Sequence, residues 1–368
     1  MKNYVTLGEV CSKGSSNIAQ KDIEHNNGEY AIYGASGYIK NVDFYHQDSS
    51  YVAVVKDGAG IGRTMLLPAK TSVIGTMQYL IPNELVDVKY LYYAVTFMNL
   101  SKYYSGAAIP HIYFKDYRKE KLPLPTYEEQ QEIISILNRI DNLINFCITL
   151  CNRFDLLVKS RFVEMFGDPV SNPLKWDTKP LLRLGNCKNG MNFHYDENGV
   201  EINCLGVGDF KDLSIIANTT ILPTIILNEM PSKEYLLQND DIVFVRSNGN
   251  KALVGRSVAV YPNKVPTTFS GFCIRFRKHD DTVIVPYLLR VLKTDSIRNK
   301  MKGRGANIQN LNQQILSTLE IPIPPLELQC QFTDFVAQTD KSKYCLVGEQ
   351  ILGKAEMLIK ILKQEYFG

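Results

Sequence analysis

The chain contains an internal repeat, and this repeat constrains its fold more strongly than any other feature of the sequence. Matching residues lie 199 positions apart without a gap: Gly106 and Ala107 with Gly305 and Ala306, Ile109 with Ile308, LPLP at 122–125 with IPIP at 321–324, Glu128 with Glu327, Gln130 with Gln329, and Asp141 with Asp340. Phe166-Gly167 and Phe367-Gly368 also match, at an offset of 201. A repeat of this length predicts two copies of one architecture.

The beginnings of the two halves match more loosely. Leu7-Gly8 aligns with Leu184-Gly185, and GIGR at 60–63 aligns with VGR at 254–256. The two copies therefore share a framework and differ within it.

The front of each half, about 1–120 and 177–320, is predicted to be a mixed α/β domain. Short β-rich runs at 51–55 (YVAVV), 241–245 (DIVFV) and 271–276 (GFCIRF) are punctuated by glycines. This pattern is typical of strands that are joined by turns.

The back of each half is predicted to be helical. Thr126 is placed to act as an N-cap, with Glu129 completing a capping box. Apolar residues then recur in steps of three and four, as in a heptad seam: Ile133, Ile136, Ile140, Leu143, Cys147, Leu150, Phe154 and Leu157. The second stripe has a polar gap at Thr339 and Ser342 and comprises Phe332, Phe335, Ile351, Ala355, Leu358 and Leu362.

Two long, narrowly striped helices in one chain are expected to pair with each other, although each stripe could instead pack on its own front domain. The expected fold class is therefore α+β. It consists of two mixed α/β domains separated by two long antiparallel coiled-coil helices, in a pseudo-two-fold repeat.

Composition narrows the class of protein. The sequence has no run of 18 apolar residues for a membrane span, and its N-terminus lacks the apolar centre of a signal peptide, so a cytoplasmic location without membrane contact is expected. Its eight cysteines form no CxxC pair and are expected to be reduced structural thiols. The fronts carry a charge of +6, with 13 basic and 11 acidic residues in 1–125 and 19 and 15 in 168–325, and the helical segments carry −3, which gives the net charge of +3.

Three motifs suggest catalysis but fail on chemical grounds. DGAGIG at 57–62 follows a strand as a methyltransferase glycine loop would, but Pro68 breaks any following helix, and no NPPY-like segment is present. A tight β-turn is therefore expected. GEQILGK at 348–354 lacks the hydroxyl of a P-loop, since Ala355 follows. Glu84, Asp87 and Lys89 are too loosely spaced to predict a metal site, so no catalytic residue, metal or cofactor is assigned.

The two loops that align across the repeat, 105–111 (SGAAIPH) and 303–310 (GRGANIQN), are better functional candidates. Small residues allow close backbone approach, while amide side chains can bond phosphates or base edges. Basic residues surround the second loop, namely Lys293, Arg298, Lys300, Lys302 and Arg304. These features indicate DNA contact, and the alternative is a solvated basic surface.

At these residues the sequence resembles the specificity subunit of type I restriction-modification enzymes, over nearly its whole length. The resemblance is carried by the duplicated order of several motifs: LPLPTYEEQQEI at 122–133 and its echo IPIPPLELQCQF at 321–332, YGASGYI at 33–39, DGAGIG, the paired Gly-Ala loops, and FGDPVSNPLKW at 166–176. The second echo departs from the pattern where Leu328 and Cys330 stand opposite Glu129 and Gln131.

The resemblance implies a non-catalytic DNA-binding subunit. It implies two target-recognition domains, at 1–125 and 168–325, each of which reads one half of a bipartite site in double-stranded DNA. It also implies helical spacers at 126–167 and 326–368, which hold the domains apart and dock two modification (methyltransferase) subunits. Restriction subunits are expected as further partners. S-adenosylmethionine, ATP and Mg²⁺ are then expected on the partner subunits only.

Individual DNA-contacting residues are predicted from charge and from position in the loops. In the first front they are Lys56, Arg63 and His111. In the second front they are Arg246, Asn248, Lys251, Arg304, Asn307 and Gln309.

Two other classes of function compete with this hypothesis. A single-chain restriction and modification enzyme would carry catalysis in one front, which the missing catalytic tetrapeptide argues against. A stand-alone DNA-binding scaffold or regulator would act without modification subunits, and a neighbouring methyltransferase gene would argue against it.

Overall fold

The chain folds into two compact units. The computed structural model describes residues 3–106, 109–193, 199–210, 215–250, 252–302, 310–347 and 351–368. Unit 1 comprises Met1–Cys151 together with Cys345–Gly368, and unit 2 comprises Asn152–Tyr344.

Unit 1 is built from short strands and a few helices. Its strands are β1 (Tyr4–Thr6), β2 (Cys11–Ser15), β3 (Tyr30–Gly34), β4 (Gly37–Val42), β5 (Tyr51–Val55), β6 (Thr64–Leu67), β7 (Ser72–Val73), β8 (Met77–Pro82) and β9 (Lys121–Pro123). Its helices are α1 (Leu7–Val10), α2 (Val88–Phe97), α3 (Phe114–Tyr117) and the first part of the long helix α4 (Tyr127–Phe166).

Three sheets organise unit 1. An antiparallel sheet has the order β2-β8-β5-β6, a second has the order β4-β3-β7, and β1 pairs with β9. Strand β5 is buried on both faces, because Val52 and Val54 pack in the core that includes α2 while Tyr51, Ala53 and Val55 pack on the opposite side. The predicted strand at 51–55 is thus confirmed, with both its faces covered.

Unit 2 repeats this plan with more strands. They are β10 (Thr178–Pro180), β11 (Gly185–Asn189), β12 (Val200–Leu205), β13 (Ile215–Ile216), β14 (Thr224–Leu227), β15 (Asp241–Val245), β16 (Ser257–Val260), β17 (Thr267–Phe269), β18 (Cys273–Lys278) and β19 (Glu320–Pro322). Its helices are α5 (Leu181–Leu184), α6 (Val285–Lys293), α7 (Asp295–Lys302), α8 (Gln313–Ser317) and most of α9 (Leu326–Val347). The last helix of the chain, α10 (Leu352–Phe367), belongs to unit 1.

The central sheet of unit 2 has the order β11-β18-β15-β16-β13, so its first four strands reproduce the order of the unit 1 sheet. Strand β15 is the counterpart of β5 and is likewise buried on both faces. Ile242 and Phe244 face the core that contains α6, whereas Val243 and Val245 face the other side. The mixed α/β character expected of both fronts is confirmed.

A buried glutamine secures the start of each long helix, α4 and α9. Gln130 accepts a hydrogen bond from the Asp87 amide at 2.8 Å and donates to the carbonyls of Leu85 and Pro125. Gln329 accepts from the Ile284 amide at 3.0 Å and donates to the carbonyls of Thr282 and Pro324. These two glutamines, 199 residues apart in sequence, therefore perform the same structural task twice.

The end of each helical segment packs in the unit that holds the opposite front. The Phe166 ring lies 4.9 Å from the Tyr287 ring in unit 2, and Trp176 donates to the Phe166 carbonyl. In unit 1 the Phe367 ring lies 5.2 Å from the Tyr90 ring, and the Tyr4 hydroxyl donates to the Gly368 carbonyl. The compact units therefore follow a different division from the four sequential segments, because both helical segments are shared between the units.

The capping box at the start of α4 is confirmed, but the predicted heptad seam is partly wrong. Thr126 and Glu129 exchange hydrogen bonds of 2.8 and 3.3 Å. Ile136, Leu143 and Leu157 are 39%, 44% and 48% exposed, whereas the buried side chains are Ile134, Leu137, Cys147, Phe162 and Phe166. A strict 3.5-residue repeat drifts away from the 3.6-residue turn of the helix, so a seam drawn through eight positions leaves the buried face.

The second helical segment is described in two parts. It is described as α9 and α10, and residues 348–350 lie outside the described part of the chain. In α10 the buried side is formed by Ala355 and Ile359, while Leu358 is 46% exposed, contrary to the predicted stripe.

Several cysteines fill the cores. Cys11, Cys187, Cys204 and Cys273 have pKa values raised to about 12 by burial, which keeps these thiols protonated and unreactive. Cys147 is also buried, as expected of a packing residue. Asp87, one of the three loosely spaced charged residues, caps α2 by accepting a hydrogen bond from the Lys89 amide.

One described helix passes a test of length and composition for crossing a membrane. It is α4, and only 22% of its most apolar 18-residue window is buried within the chain. Length and composition alone are weak evidence for a membrane-spanning helix, so the expectation of no membrane contact stays a prediction.

Candidate nucleic-acid interface

The glycine-rich segment of unit 1 is a tight turn between β5 and β6, as the sequence predicts. The Gly62 amide donates to the Val55 carbonyl, and the Val55 amide donates to the Arg63 carbonyl, which closes the hairpin. Gly62 has a φ of +79°, and a Cβ there would lie 2.5 Å from the Ser101 amide nitrogen. Glycine is required at this position for both reasons.

The loop that contains His111 docks on this turn. The Ile112 amide donates to the Lys56 carbonyl at 2.9 Å, and the Gly58 amide donates to the Pro110 carbonyl at 2.9 Å. Backbone pairing between Ser105 and His111 closes the loop on itself. The structure thus brings together two of the motifs that were separate in sequence.

The side chains at this junction form a small charged cluster. His111 Nδ1 lies 2.7 Å from Asp57 Oδ1, and Lys56 Nζ lies 3.7 Å from Asp57 Oδ2. All three side chains are between 27% and 35% exposed, so they are accessible to a ligand. Asp57 was not predicted as a site residue, although its place beside Lys56 in the turn could have indicated it.

Arg63 links this turn to a second one. Its Nη1 donates to the Ala35 carbonyl at 3.1 Å, in the turn between β3 and β4. Lys56, Arg63 and His111, the three residues predicted for the first front, therefore all belong to the β5–β6 turn or to the loop docked on it.

The equivalent junction of unit 2 uses the same backbone contacts. The Leu311 amide donates to the Arg246 carbonyl at 2.7 Å, as Ile112 does to Lys56, and Ser247 pairs with Asn310 as Asp57 pairs with His111. Arg246 Nη1 donates to the Gly271 carbonyl at 3.0 Å, and Asn248 accepts from the Asn250 amide. Of the other predicted residues, Lys251, Arg304, Asn307 and Gln309 lie outside the described residues.

The turn between β15 and β16 also repeats its partner in unit 1. The Gly255 amide donates to the Val245 carbonyl, and the Val245 amide donates to the Arg256 carbonyl. Arg256 is therefore the structural counterpart of Arg63, as the alignment of VGR with GIGR indicates. It was not among the predicted contact residues, although the repeat contained the signal.

Comparison with known proteins assigns the family. A protein-family model described as the type I restriction modification DNA specificity domain matches residues 2–149 and again residues 173–352. The chain belongs to this family. Both matches begin in a front and extend into the helical segment that follows it, so the sequence repeat is also a repeat of the specificity domain.

Curated specificity subunits are similar to this chain over much of its length. The type I restriction enzyme MjaVIII specificity subunit of Methanocaldococcus jannaschii is 25% identical over 305 residues, which are 76% of this chain and 69% of that protein. The StySPI specificity subunit of Salmonella potsdam is 26% identical over 260 residues, 65% of this chain and 54% of that protein.

A solved structure shares the fold. The S subunit of a type I restriction-modification system from M. genitalium has a TM-score of 0.59 at 17% identity, covering 100% of this chain and 96% of that one. Family membership gives the chain a role in DNA sequence specificity within a type I restriction-modification system.

Proposed function

We propose that each front domain reads one half of a bipartite site in double-stranded DNA. The observation that carries this proposal is the duplicated junction, in which one backbone scaffold presents different side chains. Unit 1 offers Lys56, Asp57 and His111, and unit 2 offers Arg246, Ser247 and Asn310. Two different half-sites require a constant frame with changed donors and acceptors.

The chemistry of the junctions suits base and phosphate contact. With Nδ1 of His111 engaged by Asp57, Nε2 is the ring nitrogen left to meet a base edge or a phosphate. Within the described part of the chain, Arg246 is tethered to the Gly271 carbonyl by one of its nitrogens, and its other donors suit a guanine edge or a phosphate. Lys251, Arg304, Asn307 and Gln309 stay predictions from sequence.

We further propose that α4 pairs with α9 and α10 as an antiparallel coiled coil that sets the distance between half-sites. In unit 2 the Phe332 ring lies 5.5 Å from Phe162, and Lys343 Nζ lies 2.7 Å from Asp155 Oδ1. In unit 1 Lys363 lies over the Tyr93 ring, whose hydroxyl is 2.8 Å from Asp141. These contacts support pairing in opposite directions, because residue numbers rise along one helix as they fall along the other.

The modification subunits are proposed to dock on the exposed apolar side chains of the helices. Ile136, Leu143 and Phe146 of α4 are 39% to 59% exposed, and Met357, Leu358 and Ile361 of α10 are 46% to 64% exposed. Apolar surface of this kind marks a protein interface. In this proposal two modification subunits cover it, restriction subunits join the complex, and no part of it contacts a membrane.

The chain itself is proposed to be non-catalytic, as its relatives' names as specificity subunits suggest. S-adenosylmethionine, ATP and Mg²⁺ would then be held by the partner subunits. The closed hairpin turn at 57–62 supports this assignment, since it leads into a strand rather than into a cofactor-binding helix.

Mapping methylated adenines in the source genome, with and without this gene, tests the proposal. The expected result is a motif of two defined half-sites separated by a gap of unspecified bases, and its loss on deletion. Retention of the motif without the gene would contradict the proposal. So would methyl transfer by the purified chain alone when it is supplied with S-adenosylmethionine and target DNA.

A further inference from the structure

Unit 2 gathers four cationic side chains beside the β15–β16 turn. Arg256 ends the turn, Arg290 and Lys293 lie on α6, and Arg298 lies on α7. All four are partly exposed. In sequence, α7 ends immediately before the predicted reading loop at 303–310. Arg298 contacts the β15–β16 turn, so the cluster adjoins the proposed DNA interface of this unit.

The four side chains are close enough to act on one another. Arg298 Nη2 donates to the Ala252 carbonyl at 3.1 Å, and its Nη1 would lie 2.9 Å from a Cβ on Gly255, so this guanidinium lies against the turn. The pKa of Lys293 is lowered to about 8 by burial and by the charges of Arg290, Arg256 and Arg298. Burial and the charge of Arg256 also lower the pKa of Arg298.

Two buried polar atoms at this place have no hydrogen-bond partner among the described residues. They are Arg298 Nη1 and the hydroxyl of Ser257, a residue that is 3% exposed. Ser257 occupies the place of Thr64, whose hydroxyl lies 2.7 Å from that of Thr96 on α2. Like Ala259, two residues further along β16, Ser257 faces the α6 side of the sheet. Polar atoms buried in this way indicate a missing partner.

Nearby carboxylates offset only part of this charge. Asp155 and Asp295 act on the cluster and favour the charged forms of Arg290 and Arg298. However, Asp155 also binds Lys343 at 2.7 Å, and Asp295 also binds Lys159 at 2.9 Å. The site as a whole therefore carries a net positive charge.

We propose that Arg256, Arg290, Lys293 and Arg298 form a phosphate site, which holds a DNA backbone phosphate beside the second half-site. The inference rests on the proposed function and deepens it. A phosphate offers negative charge and several acceptor oxygens, which clustered guanidinium groups and an ammonium bind well. The corresponding groove of unit 1, with a volume of 410 Å³, is lined by Arg63 together with neutral side chains that include Thr64, Thr96, Asn99 and Ser101. The residues that line the unit 1 groove therefore include one cationic side chain, where the unit 2 site has four.

Salt dependence of DNA binding tests the phosphate site. The full chain, in complex with its modification subunits, is titrated with a mixed-sequence DNA duplex between 50 and 200 mM NaCl. Lys293→Met should reduce the slope of the logarithm of the association constant against the logarithm of the salt concentration by about 0.9. The fourfold increase in salt should therefore weaken DNA binding by the variant about 3.5-fold less than it weakens binding by the wild type. Lys233→Met, which removes an exposed charge elsewhere in unit 2, should leave the slope near the wild-type value. Equal slopes for wild type and Lys293→Met would overturn the assignment.

A second measurement guards against a variant that merely unfolds. The Tm of each complex is measured as well, and Lys293→Met and Lys233→Met are compared at a temperature where both complexes are folded. Affinity of the wild type for the duplex should fall as pH rises from 7 to 9, and Lys293→Met should lack this fall. The other charged groups that face Lys293 or its neighbours in the site are Arg256, Arg290, Arg298, Asp155 and Asp295. A Lys293→Met complex that retains the pH dependence would contradict the site.

Inorganic phosphate separates the two sources of the ligand. If the site serves DNA, millimolar phosphate at constant ionic strength should compete with the duplex for the wild type more than for Lys293→Met. A Tm raised by phosphate without any effect on DNA binding would show a free-anion site and overturn the DNA assignment. If only this inference is wrong, a two-part methylated motif that depends on the gene is still found. If the proposed function is wrong, no such motif is found.

Discussion

The two units solve the same folding problem with the same backbone contacts and different surface chemistry. Gln130 and Gln329 hold the helix starts, Tyr90 and Tyr287 bond the carbonyls of Pro123 and Pro322, and Gly62 and Gly255 make the same hairpin turn. Beside that turn, however, Thr96 in unit 1 corresponds to Lys293 in unit 2. The difference indicates that the repeat constrains the frame and leaves the side chains at the proposed DNA interface free to change.

The largest effect is expected from lengthening the helices, which belong to both units. A seven-residue insertion after Phe154, matched by one after Lys343, keeps the Asp155–Lys343 contact and adds ~10 Å of helix. The ion pair between Lys343 and Asp155 shows that the two insertion points lie at the same level. Methylation at the native motif should be lost by orders of magnitude, and a motif with a gap about three base pairs longer should appear.

Methylated motifs in cells carrying the lengthened chain provide the readout. The bases of both half-sites should stay unchanged, since no reading loop is altered. An unchanged gap in an active, folded variant would refute the role of the helices as a spacer.

The next largest effect concerns the shared frame. Gln130→Leu and Gln329→Leu should each destabilise the chain by about 3 kcal/mol, because a buried amide and two carbonyls lose their partners in each case. Urea unfolding followed by circular dichroism measures the loss. Gln131→Leu, which removes a single exposed hydrogen bond to Asp87, is the matched control and should cost less than about 1 kcal/mol. A large difference between the two buried variants would break the equivalence of the units.

A smaller effect distinguishes the two hairpin turns. Gly62→Ala should cost about 2 to 3 kcal/mol, since the new Cβ would meet the Ser101 backbone at a positive φ. Gly255→Ala should cost only about 1 to 2 kcal/mol, because the nearest atom is the movable guanidinium of Arg298. The midpoint of urea unfolding gives the comparison, and the reverse order would show that the turns are packed differently from the contacts seen here.

Much of the fold could be predicted from sequence because it depends on local periodicity and on the repeat. The strands at 51–55 and 241–245 and the cap at Thr126 follow from patterns within a few residues. The burial of Phe166 beside Tyr287 could not be predicted in this way, since it depends on which unit receives each helix end. The exposed positions Ile136, Leu143 and Leu157 were misassigned for a different reason, because a strict 3.5-residue repeat drifts off the buried face of the helix.

The candidate site was predictable to a similar degree. Lys56, Arg63 and His111 were identified from charge and from loop position, and the structure brings them to one turn. Asp57 and Arg256 were not predicted, because they are picked out by their neighbours in space. Asp57 contacts His111, and Arg256 lies near the cations of α6 and α7. Such partners are far apart in sequence, so only the fold places them together.

The smallest effect is expected from a single junction residue. His111→Ala should weaken DNA binding by about 1 kcal/mol, roughly fivefold, since one base or phosphate contact is removed. Relaxed specificity should be confined to one half-site, and Asn310→Ala should relax the other. Binding of duplexes with single substitutions in each half-site measures this, and relaxation of both halves by one variant would count against separate reading.

The division of labour between the fronts is tested most directly by exchanging one of them. Residues 1–120 are replaced by the corresponding front of a related specificity subunit, and adenine methylation is mapped in cells that also carry the modification subunits. We expect one half of the methylated motif to change to that of the donor, while the other half and the gap stay as they were. A change in both halves, or in neither while methylation remains active, would contradict the assignment of one front to each half-site.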